Sequence, residues 1–314
     1  MIAGIIAGVT WAVETIVLGI ALSMSPFVST EKAVLLAPFV STFIHDAFSA
    51  VWACAYNGVR GNLPDVIRAL KTKYGRFVAL AAVIGGPIGM TGYVLSVANM
   101  GASIGAVASA VFPAIGAVLA YFFLKEKMAW YRWLFLLLSL AGVYGLSYSP
   151  EINITNFWLG FAGTLMCAFG WGIEAVIIAK SVQDASVTDE TALQIRQTTS
   201  AIVYGVVILP IMKGWGFTVS LFHGTGWLIP LIAIAALFAT VSYLYYYKAI
   251  SQIGASKSMA LNITYSAWAV IISIIFLGDK SLLNPVTIIC MLVVLVFSIL
   301  TAADYKELFK KEQA

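Results

Sequence analysis

Charged residues are scarce in this chain, since Asp, Glu, Lys and Arg make up only 10% of its 314 residues. A soluble domain carries about 25%. Hydrophobic residues make up 61% of the chain, and they lie in apolar runs of roughly 20 residues, the length that crosses a bilayer. The shortage of charge leaves no room for a separate soluble domain. It predicts a protein that lies almost entirely in the membrane.

Motifs of the common enzyme and metal sites are missing as well. There is no Walker loop, no nucleophile elbow and no paired Cys/His spacing. The three cysteines, Cys54, Cys167 and Cys290, fall inside apolar runs and indicate neither a metal site nor a disulfide. We therefore expect no enzyme activity, no cofactor, no metal and no nucleic-acid partner. The first apolar run has no basic segment before it, which favours a membrane span over a cleaved signal.

The apolar runs predict an all-α integral membrane protein with ten spans. Their predicted bounds are 2–24, 33–56, 76–98, 101–124, 129–148, 157–180, 193–213, 227–249, 256–277 and 281–303. Basic residues concentrate after span two (Arg60, Arg68, Lys71, Lys73, Arg76), after span four (Lys125, Lys127, Arg132) and in the tail (Lys306, Lys310, Lys311). The positive-inside rule then predicts a multi-pass protein of the cytoplasmic membrane with both termini in the cytoplasm.

The two halves of the chain repeat. Matched positions are Gly101-Ala102-Ser103 with Gly254-Ala255-Ser256, Tyr93 with Tyr246, Phe112 with Tyr265, Glu126 with Asp279, and His45 with Arg196. Because each half has an odd number of spans, the second must be inverted in the membrane. We predict a first five-helix repeat at 1–150, a second, inverted five-helix repeat at 151–303 and a cytoplasmic tail at 304–314. Inverted repeats place a substrate site at the midplane, between the halves.

One tetrad, Trp-x-x-Glu, occurs within a span of each half, as Trp11 with Glu14 and as Trp171 with Glu174. Residues three apart share a helix face. A carboxylate in a bilayer is costly and is functional by default. An anion beside an aromatic face suits a desolvated organic cation. The repeated tetrad therefore predicts a transporter of a small cation.

His45 and Asp46 are adjacent in span two. Adjacent helical positions point about 100° apart, so we expect one to face a cavity and the other an interface between helices. The pair suits a proton relay, and it equally suits a polar contact between helices. The same two residues are the one candidate nucleophile–base pair for an intramembrane enzyme. Arg196 either snorkels to the membrane surface or neutralises an acid inside, and the sequence leaves both open.

Other aromatic and polar residues line the later spans. Tyr243, Tyr246 and Tyr247 end span eight, where Tyr243 shares a face with each of the other two. Asn262, Tyr265 and Trp268 follow at three-residue spacing in span nine and predict a polar and aromatic stripe along a cavity wall. In span three, Gly85-Gly86-Pro87 predicts a loosened helix, which is either a packing kink or a substrate contact.

Several stretches together resemble one family over essentially the whole chain. They are GPIGM at 86–90, the segment from GAS to FFLKEK at 101–127, AFGWGIE at 168–174, IRQTTS at 195–200, SYLYYY at 242–247 and ALNITYSAW at 260–268. The family is that of the LicB-type choline permeases of bacteria, within the drug/metabolite transporter superfamily and its EamA-like fold.

The resemblance implies a secondary transporter that imports choline, or a closely related quaternary ammonium ion, by alternating access. An aromatic cage would hold the ammonium, with Trp11 and Trp171 in fitting positions and tyrosines such as Tyr93 beside them. Glu14 or Glu174 would supply the counter-charge, and Asn262 would bind the hydroxyl. Protons are the expected coupling partner in one version, with Asp46 as the second acid. An exporter of aromatic amino acids or cationic drugs, with the same fold, is the alternative.

Overall fold

The computed structural model of the chain describes residues 1–101, 110–148, 154–223 and 226–304. These residues are mostly helical and contain no strand, which confirms the all-α class. The helices are α1 (Ile2–Ser23), α2 (Glu31–Val59), α3 (Leu63–Lys71), α4 (Lys73–Met100), α5 (Phe112–Phe123), α6 (Trp130–Ser147), α7 (Phe157–Ser181), α8 (Asp189–Ile211), α9 (Trp215–Phe222), α10 (Leu228–Ile253), α11 (Ala255–Phe276) and α12 (Pro285–Ala302).

Eight helices of the described part are long and apolar enough to cross a membrane: α1, α2, α4, α7, α8, α10, α11 and α12. The apolar helix α5 has 12 residues and follows positions 102–109, which lie outside the described residues together with most of the predicted Gly101-Ala102-Ser103 match. Helix α6 has 18 residues. Both coincide with predicted spans, and the count of ten stays a prediction.

Capping residues set several helix starts. The side chains of Thr30, Asn156 and Asn284 each accept a hydrogen bond from a backbone N–H in the first turn of α2, α7 and α12. The basic segment after α2, which the span prediction leaves as a loop, instead contains the nine-residue helix α3. Arg68 and Asp65 form an ion pair on its exposed face.

Each major helix contact joins one predicted half to the other. Helix α1 packs along α10, α4 along α7, α2 along α8 and α6 along α12. The second of these contacts depends on small residues, because a Cβ on Gly92 would lie 2.6 Å from the carbonyl oxygen of Gly163. The predicted division at residue 150 lies among positions 149–153, outside the described residues, and stays a prediction.

Three spanning helices of the described part are interrupted, and one of them, α8, has a π-turn at Tyr204–Ile208. Helix α4 has a π-turn at Ile84–Ile88, around Pro87, so the loosening predicted there is observed. Helix α11 is broken at Ile263 and Thr264, which lie in a turn between Ala255–Asn262 and Tyr265–Phe276. Interrupted helices expose backbone groups at membrane depth, where they need a protein partner or a cavity.

Two charged side chains hold one end of the helical bundle together. The Glu126 carboxylate accepts hydrogen bonds from the backbone N–H of Ala255 at 2.8 Å and of Ser256 at 3.0 Å, and so caps α11. Arg132 is one of the basic residues from which the orientation is predicted. It is buried and donates to the carbonyl oxygens of Thr301 and Ala303. Its charge therefore stabilises the end of α12. The tail lysines lie outside the described residues, and the orientation in the membrane stays a prediction.

Candidate functional site

A cavity of about 460 Å³ lies among α1, α2, α4, α5, α7, α8, α10 and α11. It collects all of the residues predicted from the sequence except Trp268. Its lining contains Trp11, Glu14, His45, Asp46, Tyr93, Trp171, Glu174, Tyr243, Tyr246, Tyr247, Asn262 and Tyr265. Thr15 and Gly19 also line it and are exposed, so it opens along the second half of α1. The end capped by Glu126 is the opposite one.

The first group of lining residues is a chain of acids and bases on α1 and α2. Nε2 of His45 lies 3.5 Å from Oε1 of Glu14, and its Nδ1 lies 3.0 Å from Oδ1 of Asp46. Glu14, His45 and Asp46 are all buried. The expectation that only one of the adjacent pair would face the cavity is wrong. Although their Cα–Cβ bonds diverge, the cavity wall is wide enough to include both side chains, and they bend toward each other.

Asp46 connects this series of acidic and basic side chains to α8. Its Oδ2 accepts a hydrogen bond from the Ser200 hydroxyl at 2.6 Å and lies 3.6 Å from Nη1 of Arg196. Nε of Arg196 donates to Oε1 of Glu174 at 2.8 Å, and its Nη1 donates to Oε1 of Gln197 at 2.8 Å. Arg196 is thus buried among acids and does not snorkel. The sequence left this choice open, although its repeat match to His45 was a signal for the inner position.

The lining contains more carboxyl groups than basic groups. Its carboxyl and basic side chains are Glu14, Asp46 and Glu174 on one side and Arg196 and His45 on the other. With all three carboxylates ionised, two negative charges are in excess when His45 is neutral, and one is in excess when it is protonated. A surplus charge in a low-dielectric cavity must be compensated by a cation or by protons. The cavity therefore suits a positively charged ligand.

The second group of lining residues is aromatic and surrounds Trp171. The Tyr93 ring stacks on Trp171 with centroids 6.2 Å apart, and Phe112 meets it edge-on at 5.8 Å. The indole N–H donates to the carbonyl oxygen of Gly85, in the π-turn of α4, at 2.9 Å. This bond fixes the ring orientation. Phe112 was matched to Tyr265 in the repeat but was not among the predicted site residues.

A third group of lining residues, also aromatic, lies on α1 and α10. Trp11 meets Tyr243 edge-on with centroids 5.1 Å apart, and Tyr243 meets Tyr247 at 5.9 Å. The Arg196 guanidinium lies 4.7 Å from the centroid of the Tyr243 ring. One aromatic face of the cavity is therefore already occupied by a cation of the protein itself.

The π-turn of α4 allows Glu174 to approach. A Cβ on Gly85 would lie 1.8 Å from Oε2 of Glu174, and a Cβ on Gly86 would lie 2.5 Å from the Ser200 hydroxyl oxygen. No other residue type fits at Gly85 unless the acid moves. Both glycines line the cavity, so the interrupted segment contributes to its wall and is not a packing kink alone.

Trp268 does not line the cavity, and the predicted stripe along α11 stops at Tyr265. Two steps of three residues turn a helix about 120° away from its starting face. The helix is also interrupted between Asn262 and Tyr265.

Within the described part of the chain, no cluster of three or more His, Cys, Asp or Glu side chains has the arrangement of a metal site.

Comparisons with known proteins agree on the class of the chain. The model of the EamA-like transporter family matches residues 1–148. Protein LicB of Haemophilus influenzae is 31% identical over 211 residues, which are 67% of this chain and 70% of that protein. A protein of known crystal structure superimposes with a TM-score of 0.68, covering 96% of each chain at 14% identity. At this identity the structural likeness bears on the fold alone.

Proposed function

Because the chain belongs to the EamA-like transporter family and is of the LicB type, we propose that it imports choline or a closely related quaternary ammonium ion. One feature supports the proposal above all: the cavity combines aromatic walls with a surplus of negative charge. Its volume lies within the usual range for small-molecule sites, roughly 300–1,000 Å³. With a neutral or zwitterionic substrate, such as an aromatic amino acid, the surplus would have to be compensated by protons alone.

The chemistry of a quaternary ammonium matches the aromatic wall. Its nitrogen has no N–H to donate, so recognition depends on charge and on cation–π contacts. Each desolvated contact contributes about 2 kcal/mol. Trp171 with Tyr93, Phe112 and Tyr265 forms the part of the wall that offers aromatic surface away from Arg196. Asn262 lines the same cavity, and we assign it the substrate hydroxyl.

The open end gives the cavity access to one side of the membrane. With the N-terminus in the cytoplasm, as the basic loops predict, the second half of α1 lies toward the exterior. The cavity then opens outward, while Glu126 holds the cytoplasmic end. The membrane potential contributes about 2.3 kcal/mol per charge per 100 mV and favours entry of a cation. Two neighbouring groups that can change charge, Glu14 and His45, supply a route for coupled protons.

Purified protein tests the binding step. We expect choline to raise the unfolding temperature and labelled choline to accumulate in proteoliposomes with an inside-negative potential. Tetramethylammonium should compete well, and ethanolamine poorly, because its N–H groups remain better satisfied in water. Competition by tyrosine or phenylalanine that equals competition by unlabelled choline would favour the exporter of aromatic amino acids instead.

Glu14→Gln tests coupling, since it removes one charge and keeps the shape of the side chain. We expect the variant to lose the response of choline uptake to a pH gradient while a response to voltage persists. Uptake should be measured in proteoliposomes with the pH gradient and the voltage imposed separately. A variant that matches the parent in rate and in pH response would remove Glu14 from the mechanism. A parent that ignores the pH gradient would be a uniporter.

A further inference from the structure

Arg196 is a buried cation inside a cavity that we propose for a cation. It is 4% exposed, its Nε lies 2.8 Å from Glu174, and its Nη1 lies 3.6 Å from Asp46. Its guanidinium also lies over the Tyr243 ring. It therefore has two carboxylates and an aromatic face, which are the surroundings that a ligand ammonium needs.

An ammonium site filled by the protein itself changes what the rest of the cavity accepts. Unlike histidine, arginine does not release its proton in proteins, so its charge is permanent. With Arg196 present, the three carboxylates ionised and His45 protonated, the lining has one negative charge left for a ligand cation. A second ligand cation would meet the guanidinium, and like charges repel strongly at low dielectric.

We propose that Arg196 is a specificity-determining residue that limits the ligand to a single positive charge. It takes the place, between Asp46 and Glu174 over Tyr243, that a second ammonium group would take. This inference rests on the proposed function, because it concerns the valence of the organic cation that the same cavity binds.

A matched pair of ligands isolates charge from shape. The dication is ethane-1,2-bis(trimethylammonium). The monocation is (3,3-dimethylbutyl)trimethylammonium, in which a carbon replaces one nitrogen of the dication and the outline is unchanged. The quantity to measure is the ratio of the two dissociation constants, dication over monocation, at one pH and one salt concentration. A loss of packing affects both ligands alike and cancels in the ratio.

Three variants change the charge of the cavity in steps. Glu174→Gln lowers the negative surplus by one, Arg196→Gln raises it by one, and the double variant restores the parent surplus. We expect the ratio to rise about tenfold in Glu174→Gln, to fall about tenfold in Arg196→Gln and to return near the parent in the double variant, each tenfold step being about 1.4 kcal/mol. If Arg196→Gln fails to fold, Glu174→Gln and the double variant still differ only at Arg196.

The outcomes separate the two proposals. A parent that binds neither choline nor the monocation overturns the proposed function. A parent that binds both, with a ligand ratio that is the same in the parent and in every folded variant, overturns the role of Arg196 and leaves the proposed function intact. A ratio that follows the charge of the cavity through the series is the result that we expect.

Discussion

The two copies of the Trp-x-x-Glu tetrad lie on one cavity but have different partners. Glu14 faces His45 at 3.5 Å, whereas Glu174 accepts a hydrogen bond from Arg196 at 2.8 Å. Trp11 meets Tyr243 edge-on, whereas Trp171 is stacked on Tyr93 and hydrogen-bonded to Gly85. The same four-residue pattern therefore places one acid beside a histidine and the other beside an arginine.

The difference lies in what each basic partner can do. Histidine changes its charge near neutral pH, so the pair of Glu14 with His45 can exist with different numbers of protons. Arginine keeps its charge, so Glu174 always has a cation beside it, at 2.8 Å. We infer that Glu14 serves proton exchange and that Glu174 serves the architecture and charge of the site.

The largest expected effect is a difference in the free energy of unfolding between the variants of the two acids. Glu174→Gln leaves a buried guanidinium short of one anion, and breaking a buried pair in this way costs about 3 kcal/mol. Glu14→Gln should cost less than about 1 kcal/mol, because His45 can become neutral and leave no uncompensated charge. Unfolding of both variants in detergent, followed by temperature or denaturant, measures the difference. The double variant Glu174→Gln with Arg196→Gln should recover much of the loss.

Equal destabilisation by Glu14→Gln and Glu174→Gln would contradict this contrast. It would mean that the His45 pair is as rigid as the Arg196 pair, and the assignment of proton exchange to Glu14 would lose its physical basis.

An intermediate effect is a difference in choline affinity between the variants of the two tryptophans. Trp171→Ala should weaken choline binding about 30-fold, which corresponds to one desolvated cation–π contact of about 2 kcal/mol. Trp11→Ala should weaken it only about fivefold, because the Tyr243 ring beside it is already occupied by Arg196. Trp227→Ala is the matched control, since Trp227 is 77% exposed and outside the cavity lining. Calorimetric titration with choline measures all three, and a larger loss in Trp11→Ala would reverse the assignment of the cage.

Much of this site could be predicted from the sequence, because it depends on the spacing of residues within single helices. Glu14 and Trp11 share a helix face by spacing alone, and an acid in an apolar span has few alternatives to an interior position. The departure of Trp268 from the stripe was predictable in part, because six residues turn a helix about 120° from its starting face. The break at Ile263 and Thr264 was not, because it lies where α11 packs against α1 and a Cβ on Gly8 would be 2.4 Å from the Thr264 hydroxyl. The pairing of Arg196 with Glu174 likewise joins two helices, and no spacing within one helix reveals it.

The smallest expected effect concerns one hydrogen bond of Trp171. Trp171→Phe keeps an aromatic ring but removes the N–H that donates to Gly85 at 2.9 Å. Trp215 offers a matched control, because its indole N–H donates to the carbonyl oxygen of Gly205 at 2.9 Å, also in a π-turn, and it does not line the cavity. Each substitution should lower the free energy of unfolding by about 1 kcal/mol, the usual net contribution of such a bond.

Only Trp171→Phe should also weaken choline binding, by about fivefold, because the lost bond orients a ring that faces the ligand. Thermal unfolding and calorimetric titration on the same preparations separate the two effects. Loss of choline affinity in both variants would mean that loosening either π-turn disturbs the cavity as a whole. Unchanged affinity in Trp171→Phe would mean that the Gly85 carbonyl holds α4 against α7 and does not orient the ring for the substrate.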